Sequence, residues 1–256
     1  MEPIIRFEQI SKSFGDPAVL REFTLDVFPG EFLTIIGRSG CGKSTALKLV
    51  YGLVRPDSGR ILVQGKDVAG TDPVALRRRI GYVIQSVGLF PHMTVEKNIA
   101  YVPSISGMAG WKGQVRREKV SALLTQVGLD PALASRYPRS LSGGQRQRVG
   151  IARALAAGPE ILLMDEPFGA VDEITRGQLQ EEIQTIHREN GITILFVTHD
   201  IDEALKLGTR VLVLDQGQIQ QCDAPAAVLR QPATAFVAEL VTQQRRTCVY
   251  TDDCFI

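Results

Sequence analysis

The segment that most restricts the fold of this chain is GRSGCGKST, Gly37 to Thr45, set between the apolar run EFLTIIG and the segment TALKLVYGL. It has the form G-x-x-x-x-G-K-[ST]. The run before it is β-branched and apolar, as a strand buried on both faces would be, and the segment after it carries Leu and Val at helical spacing. A strand, a tight glycine turn and a helix start are therefore fixed in order. Gly37, Gly40 and Gly42 let the backbone bend, so that successive N–H groups and the helix N-terminus face an anion. Arg38, Ser39, Cys41 and Thr45 complete the loop. Lys43 adds a positive charge suited to β- and γ-phosphates, and the Ser44 hydroxyl suits Mg²⁺. The motif in this setting is read as a nucleotide site.

Further strand signals alternate with helical ones, which predicts an α/β fold. Apolar runs of strand length occur at GRILVQG, RIGYVIQ, EILLMDE, ITILFVTH and RVLVLDQG. From about 91 to 158 no run reads as a strand, whereas QVRREKVSALLTQVGL repeats Leu and Val every three or four residues, so this stretch predicts an inserted helical subdomain. The first thirty residues and the region near Ile61 predict a small antiparallel β-subdomain with turns at Gly15 and Gly30. With 256 residues and 44% apolar composition the chain can bury a sizeable core. A formal net charge of +1 gives no general attraction to nucleic acid. The start, MEPIIRFEQI, lacks a signal-peptide pattern, and no apolar run reaches membrane-spanning length.

Cys41, Cys222, Cys248 and Cys254 show neither C-x-x-C pairing nor His at zinc-ligand spacing, so free thiols are expected. Cys41 has two readings: a thiolate favoured by a helix N-terminus, whose alkylation would block nucleotide binding, or a small residue filling a tight turn.

Two more segments carry chemistry. EILLMDEP delivers Asp165 and Glu166 at the end of a buried strand, where adjacent acids are costly unless used; Asp165 suits Mg²⁺ through coordinated water, and Glu166 suits the orientation or deprotonation of water. In LSGGQRQRVGIARALAAG, Ser142 can cap the helix that follows, and Gly143 and Gly144 leave room for another surface to approach it. One chain thus has two phosphate-seeking helix starts but one Mg²⁺ constellation. That imbalance points to a site completed by a second copy.

These motifs in this order resemble the nucleotide-binding subunit of ATP-binding-cassette (ABC) transporters, from Ile5 to about Leu240. The resemblance implies a P-loop NTPase (RecA-like) core and residues 1–240 as the ATP-binding domain, with 241–256 a tail that is flexible or a small docking strand and carries no regulatory domain. Carried onto matching positions, Phe14 is the aromatic that stacks on adenine, where the family more often has Tyr. Gln85 touches Mg²⁺ or water and links the core to the helical subdomain; Asp172 bridges the two nucleotide-binding domains; His199 contacts the γ-phosphate. The Mg²⁺ set is then Ser44, Gln85 and Asp165, and Ser142, Gly143, Gly144, Gln145 and Asp172 act in trans. Arg38 departs from the family's usual Pro, and Val171 from its Leu.

The implied activity is ATP hydrolysis in a head-to-tail dimer, with Lys43, Glu166 and His199 as the catalytic residues. Partners would be a second nucleotide-binding subunit in a homodimer, separate integral-membrane permease subunits and, through them, an extracytoplasmic binding protein; the protein would sit peripherally on the cytoplasmic face of the membrane and use no nucleic acid. Leu89, Phe90 and Met93 could form an apolar cradle for a permease helix or simply pack locally. RRRIGYVIQSVGLFPHMTVEKNIAYVP and DEPFGAVDEITRGQLQEEI look like cassettes of osmoprotectant importers, for quaternary amines such as glycine betaine; an importer of an amino acid or polyamine is the alternative. A DNA-repair ATPase would need a far longer insertion than the roughly fifty-five residues between Gln85 and Leu141. A translation-factor type would need two cassettes, and a P-loop kinase would leave LSGGQ without a task.

Overall fold

A computed structural model describes residues 1–169 and 171–248, with side chains as far as Thr242. The chain forms two compact units: one from residues 1–70 together with the chain from Leu195 onward, the other from Thr71 to Ile194.

In the first unit, β1 (Ile5–Lys12) and β2 (Leu20–Val27) pair antiparallel, with Ile5 opposite Val27. Ile5 and Phe7 are buried while Arg6 and Glu8, which alternate with them, are partly exposed, as in a strand with one covered face. β3 (Phe32–Ile36) has no such alternation, since all five residues are buried. That pattern belongs to a strand covered on both faces, each large apolar side chain contributing about 2 kcal/mol relative to exposure. After β3 the chain makes the glycine loop and enters α1 (Lys43–Val50), then β4 (Ser58–Val63) and the short β5 (Lys66–Asp67). The antiparallel sheet has the order β2-β1-β4-β5, so the predicted small β-subdomain is present.

The second unit opens with α2 (Pro73–Arg79), where Asp72 caps by accepting from Ala75 N at 2.8 Å and Pro73 takes the first helical position. It continues through β6 (Ile80–Val83), α3 (Val95–Ile99), α4 (Tyr101–Ile105), α5 (Gly113–Gln126), α6 (Gly143–Leu155), β7 (Ile161–Asp165) and α7 (Glu173–Asn190). Among the described residues no strand falls between Val83 and Ile161, as predicted. The helices nonetheless belong to a larger body than 91–158, because β6 and β7 pair in parallel, Ile80 with Ile161 through Val83 with Met164, within the same unit.

The chain leaves this unit within β8 (Thr193–Val197), and Thr198 N then donates to Ile35 O at 3.2 Å. α8 (Ile201–Leu207), β9 (Arg210–Asp215), β10 (Gln218–Asp223), α9 (Pro225–Arg230) and α10 (Ala235–Cys248) follow. β9 pairs in parallel with β3, and β10 antiparallel with β9. Ile36, Ala204, Val211, Val213, Val228, Val237 and Val241 share one core, which holds the three helices against these strands. β10 escaped sequence reading because QIQQCD is mostly polar. The expected tail from 241 is also corrected: α10 crosses that position without a break as far as Cys248, and 249–256 lie outside the described residues.

Candidate functional site

The glycine loop of the first unit is folded around its lysine. Lys43 Nζ donates to Gly37 O at 2.7 Å and to Arg38 O at 3.0 Å, and the residue is only 6% exposed. A buried ammonium needs such partners, and the two carbonyls supply them. Positive φ falls on Gly37, Gly40 and Gly42. At Gly37 a side chain is excluded outright, because a Cβ there would sit on Leu214 O. α1 has no side-chain cap and no acidic residue in its first turn, where Lys43, Ser44 and Thr45 stand. Its positive dipole end is thereby kept for a ligand. Beside the loop lies a cavity of about 440 Å³ bordered by Val19, Arg21, Arg38, Ser39, Cys41 and Gln216.

Two residues of the loop differ from simple expectation. The Arg38 side chain turns away to α10, lying 4.9 Å over the Phe236 ring and 3.5 Å from Glu239. Cys41 is buried, and burial pushes its thiol up despite the opposing pull of Lys43. Burial of the side chain and this upward direction both favour the reading of Cys41 as a small residue filling a turn.

Elsewhere in this unit, Phe14 is 65% exposed at the end of β1. His199 is exposed in the turn after β8, between two anchored neighbours. Thr198 Oγ1 donates to Glu203 Oε2 at 2.6 Å and accepts from Asp200 N at 3.0 Å, while Asp200 caps α8 through Asp202 N and Glu203 N. A residue so flanked has little freedom of backbone.

In the second unit, Asp165 ends β7 and is 8% exposed. Glu166 follows with φ 44°, a left-handed conformation that costs a non-glycine residue about 1–3 kcal/mol and that gathers at functional sites. Gln85 Nε2 donates to Glu166 Oε2 at 3.0 Å, so two predicted site residues meet directly. The Gln85 loop is itself held under strain: Val87, β-branched, has φ 55°. Arg153 of α6 clasps the loop, its guanidinium donating to Val87 O and to Gly88 O, both at 2.7 Å. Gly150, one turn earlier, makes the approach possible, since a Cβ there would be 2.9 Å from Val87 Cγ1. Sequence reading assigned nothing to Val87, Gly150 or Arg153. ARAL at helical spacing shows Arg153 to lie on α6, but only the fold reveals which loop it meets.

The start of α6 forms a capping box. Ser142 Oγ accepts from Gln145 N at 3.2 Å, and Gln145 Oε1 accepts from Ser142 N at 2.9 Å. The expected cap is present. At Gly144 a Cβ would be 2.8 Å from Thr175 Cγ2 of the same chain. Its missing side chain already serves packing against α7. Asp172 caps α7 through Thr175 N at 3.0 Å, and hydrogen bonds from Thr175 hold its carboxyl below the usual range. Leu89, Phe90 and Met93 are half-buried, not exposed. Phe90 packs on Tyr101 at 4.6 Å, and the buried Asn98 amide binds Phe90 N and the carbonyls of Phe90, Met93 and Thr94.

Ser44 in the first unit carries a hydroxyl oxygen, and Gln85 and Asp165 in the second carry amide and carboxylate oxygens, donor types that suit a hard cation such as Mg²⁺. Among the described residues no group of three or more His, Cys, Asp or Glu could hold a metal. Also among the described residues, no helix is long and apolar enough to cross a membrane.

Comparison with known proteins places the motifs in one family. Residues 20–169 match the model of the ABC transporter family. The chain is similar to the glycine betaine/carnitine/choline transport ATP-binding protein OpuCA of Bacillus subtilis, at 48% identity over 94% of this chain and 63% of that one. It is likewise similar to the glycine betaine uptake system ATP-binding protein YehX of Escherichia coli, at 47% identity over 92% of this chain and 76% of that one. The chain thus spans less than two thirds of the length of the first of these relatives. Among solved structures it is similar to the dimeric post-hydrolysis state of the ATP-binding cassette MJ0796 bound to ADP and Pi, with TM-score 0.79 and 32% identity over 86% of this chain and 98% of that one.

Proposed function

The chain belongs to the ABC transporter family, and from that premise we propose that it is the ATP-hydrolysing subunit of an importer for osmoprotectants of the quaternary-amine class. Residues 1–240 would form the ATP-binding domain. The observation that carries the reading is the combination, in one chain, of an uncapped glycine-loop helix holding Lys43 and a carboxylate, Glu166, held by Gln85, in a sequence nearly half identical to quaternary-amine transport subunits.

In this mechanism the N–H groups of the loop and Lys43 bind the nucleotide phosphates, Lys43 leaving the carbonyls of Gly37 and Arg38 for the incoming anion. Phe14 carries the base. Mg²⁺, held by Ser44, Gln85 and Asp165, would supply charge neutralisation on the phosphates when bound. Glu166, oriented by Gln85, positions the attacking water, and His199 donates to the terminal phosphate. Preorganised donors aimed at the developing charge do most of the work in such a transfer. Ser142, Gly143, Gly144, Gln145 and Asp172 would act on the nucleotide of a second copy, so closure of two subunits would require ATP. Membrane permease subunits would convert closure into translocation of a solute delivered by an extracytoplasmic binding protein, with this subunit attached peripherally on the cytoplasmic side.

The test is to purify the protein with its permease, reconstitute the complex with its binding protein in liposomes, and measure ATP hydrolysis with candidate solutes. Glycine betaine, choline or carnitine should raise the rate, with spermidine and amino acids inert. Stimulation by one of the latter alone would overturn the solute class, and hydrolysis at full rate by a verified isolated protomer would overturn the two-copy site.

A further inference from the structure

Phe14 presents its ring to solvent, yet the residues around it are firmly tied. Asp57, just before β4, grips the end of β1: its Oδ1 accepts from Lys12 Nζ at 2.6 Å, and its Oδ2 accepts from Ser13 N at 2.7 Å and from Ser13 Oγ at 3.2 Å. Asp57 N in turn donates to Ser11 O at 2.9 Å, and Ser11 lies opposite Ser58 in the β1–β4 pairing. Both oxygens of the carboxylate are thus spent on the two residues that precede Phe14, and the backbone N–H on Ser11. These bonds also hold the Asp57 carboxyl below its ordinary range, so it is ionised at neutral pH. Lys12 is not idle either. Drawn by Asp57, its ammonium stands 5.2 Å from the centroid of the Phe14 ring, over one face. One face of the ring therefore meets a cation, and the opposite face is left for a flat partner.

We propose that Asp57 and Lys12 are positioning residues for nucleotide binding: they hold Phe14 as a cation-backed platform with one face presented to the base. The proposal rests on the reading of Phe14 as the base-stacking residue. Its physical content is preorganisation. An exposed ring on an untethered turn must be ordered when ligand binds, and the Asp57 clasp meets that cost during folding. Stacking is blind to the phosphates, so the effect should fall on ligands that carry a base and spare those that do not.

The experiment is a pair of equilibrium titrations, with MgATP and with inorganic tripolyphosphate, on the wild type and on Phe14→Ala, Asp57→Asn and Lys12→Met, with thermal melts alongside. Phe14→Ala should weaken ATP about tenfold and leave tripolyphosphate unchanged. Asp57→Asn and Lys12→Met should each weaken ATP about threefold, again sparing tripolyphosphate, and should add nothing on a Phe14→Ala background. If Phe14→Ala acts on ATP but the other two do not, or if they weaken both ligands equally, the positioning role is overturned and the base-stacking reading stands. If Phe14→Ala leaves ATP unaffected, that reading falls and the proposal with it. Should Asp57→Asn fail to fold, Lys12→Met decides alone, since Lys12 can lose its charge while Asp57 keeps its bonds to Ser13.

Discussion

In the glycine loop the left-handed backbone falls on Gly37, Gly40 and Gly42, whereas around Gln85 and Glu166 it falls on Val87 and on Glu166 itself. Glycine adopts that region at no steric cost, so the loop that would bind phosphate is already in its low-energy shape. Val87 and Glu166 are held there by their surroundings. The clasp of Arg153 on the carbonyls of Val87 and Gly88, and the close seat that Gly150 provides, supply the restraint on the Gln85 loop. Under the proposed function the two regions would divide the labour: one would bind through a relaxed backbone, and the other would keep its carboxylate in a conformation it would not choose.

That contrast can be broken from the strained side first. Glu166→Gln retains the shape of the side chain and removes its basicity, so turnover should fall about 10²- to 10⁴-fold while ATP affinity is kept. Steady-state hydrolysis and a nucleotide titration on the same sample check this. Arg153→Met leaves the glycine loop untouched but frees Val87 O and Gly88 O. We expect kcat to drop about tenfold, ATP affinity to stay within about twofold, and stability to fall by about 2 kcal/mol, read from a denaturant melt. Equal losses in affinity and turnover would mean that the clasp supports the whole unit rather than the Gln85 loop.

Val87→Gly sharpens the contrast by giving the strained loop the residue its partner loop already uses. Relief of about 1–2 kcal/mol of strain is offset by the extra chain entropy of glycine and the lost contact at Gly150, so the melting temperature should barely move. Turnover should still fall a few-fold, because the loop would no longer be forced into one shape. The smallest effect belongs to the relaxed side. With its thiol pushed up by burial, Cys41 should react with iodoacetamide more slowly at neutral pH than an exposed cysteine, and the rate should climb only as pH rises beyond the ordinary thiol range. Rapid modification at pH 7 would contradict the burial of Cys41.

Much of this was legible in the sequence because it is written locally. The glycine loop, the acids ending β7 and the cap at Ser142 are each specified by neighbours within a few positions, and each appears where spacing put it. What could not be read depends on residues far apart along the chain. Arg153 reaches Val87 across 66 positions, and Asp57 reaches Lys12 across 45. The backbone of the turn from Phe90 to Thr94 is tied by Asn98, a buried polar residue whose four hydrogen bonds no hydrophobic pattern announces. β10 was missed for the opposite reason, a mostly polar strand without the apolar alternation that would mark it.

The Ser142 hydroxyl commits only an oxygen lone pair to the start of its helix, since it accepts the hydrogen of Gln145 N and its own proton is not consumed by that bond. Under the two-copy arrangement, the surface offered to a visiting subunit is complete before any encounter. Association would then demand no refolding, and its speed would be governed by diffusion and salt. How long the pair persists would be left to the nucleotide, which is the quantity a molecular timer has to control.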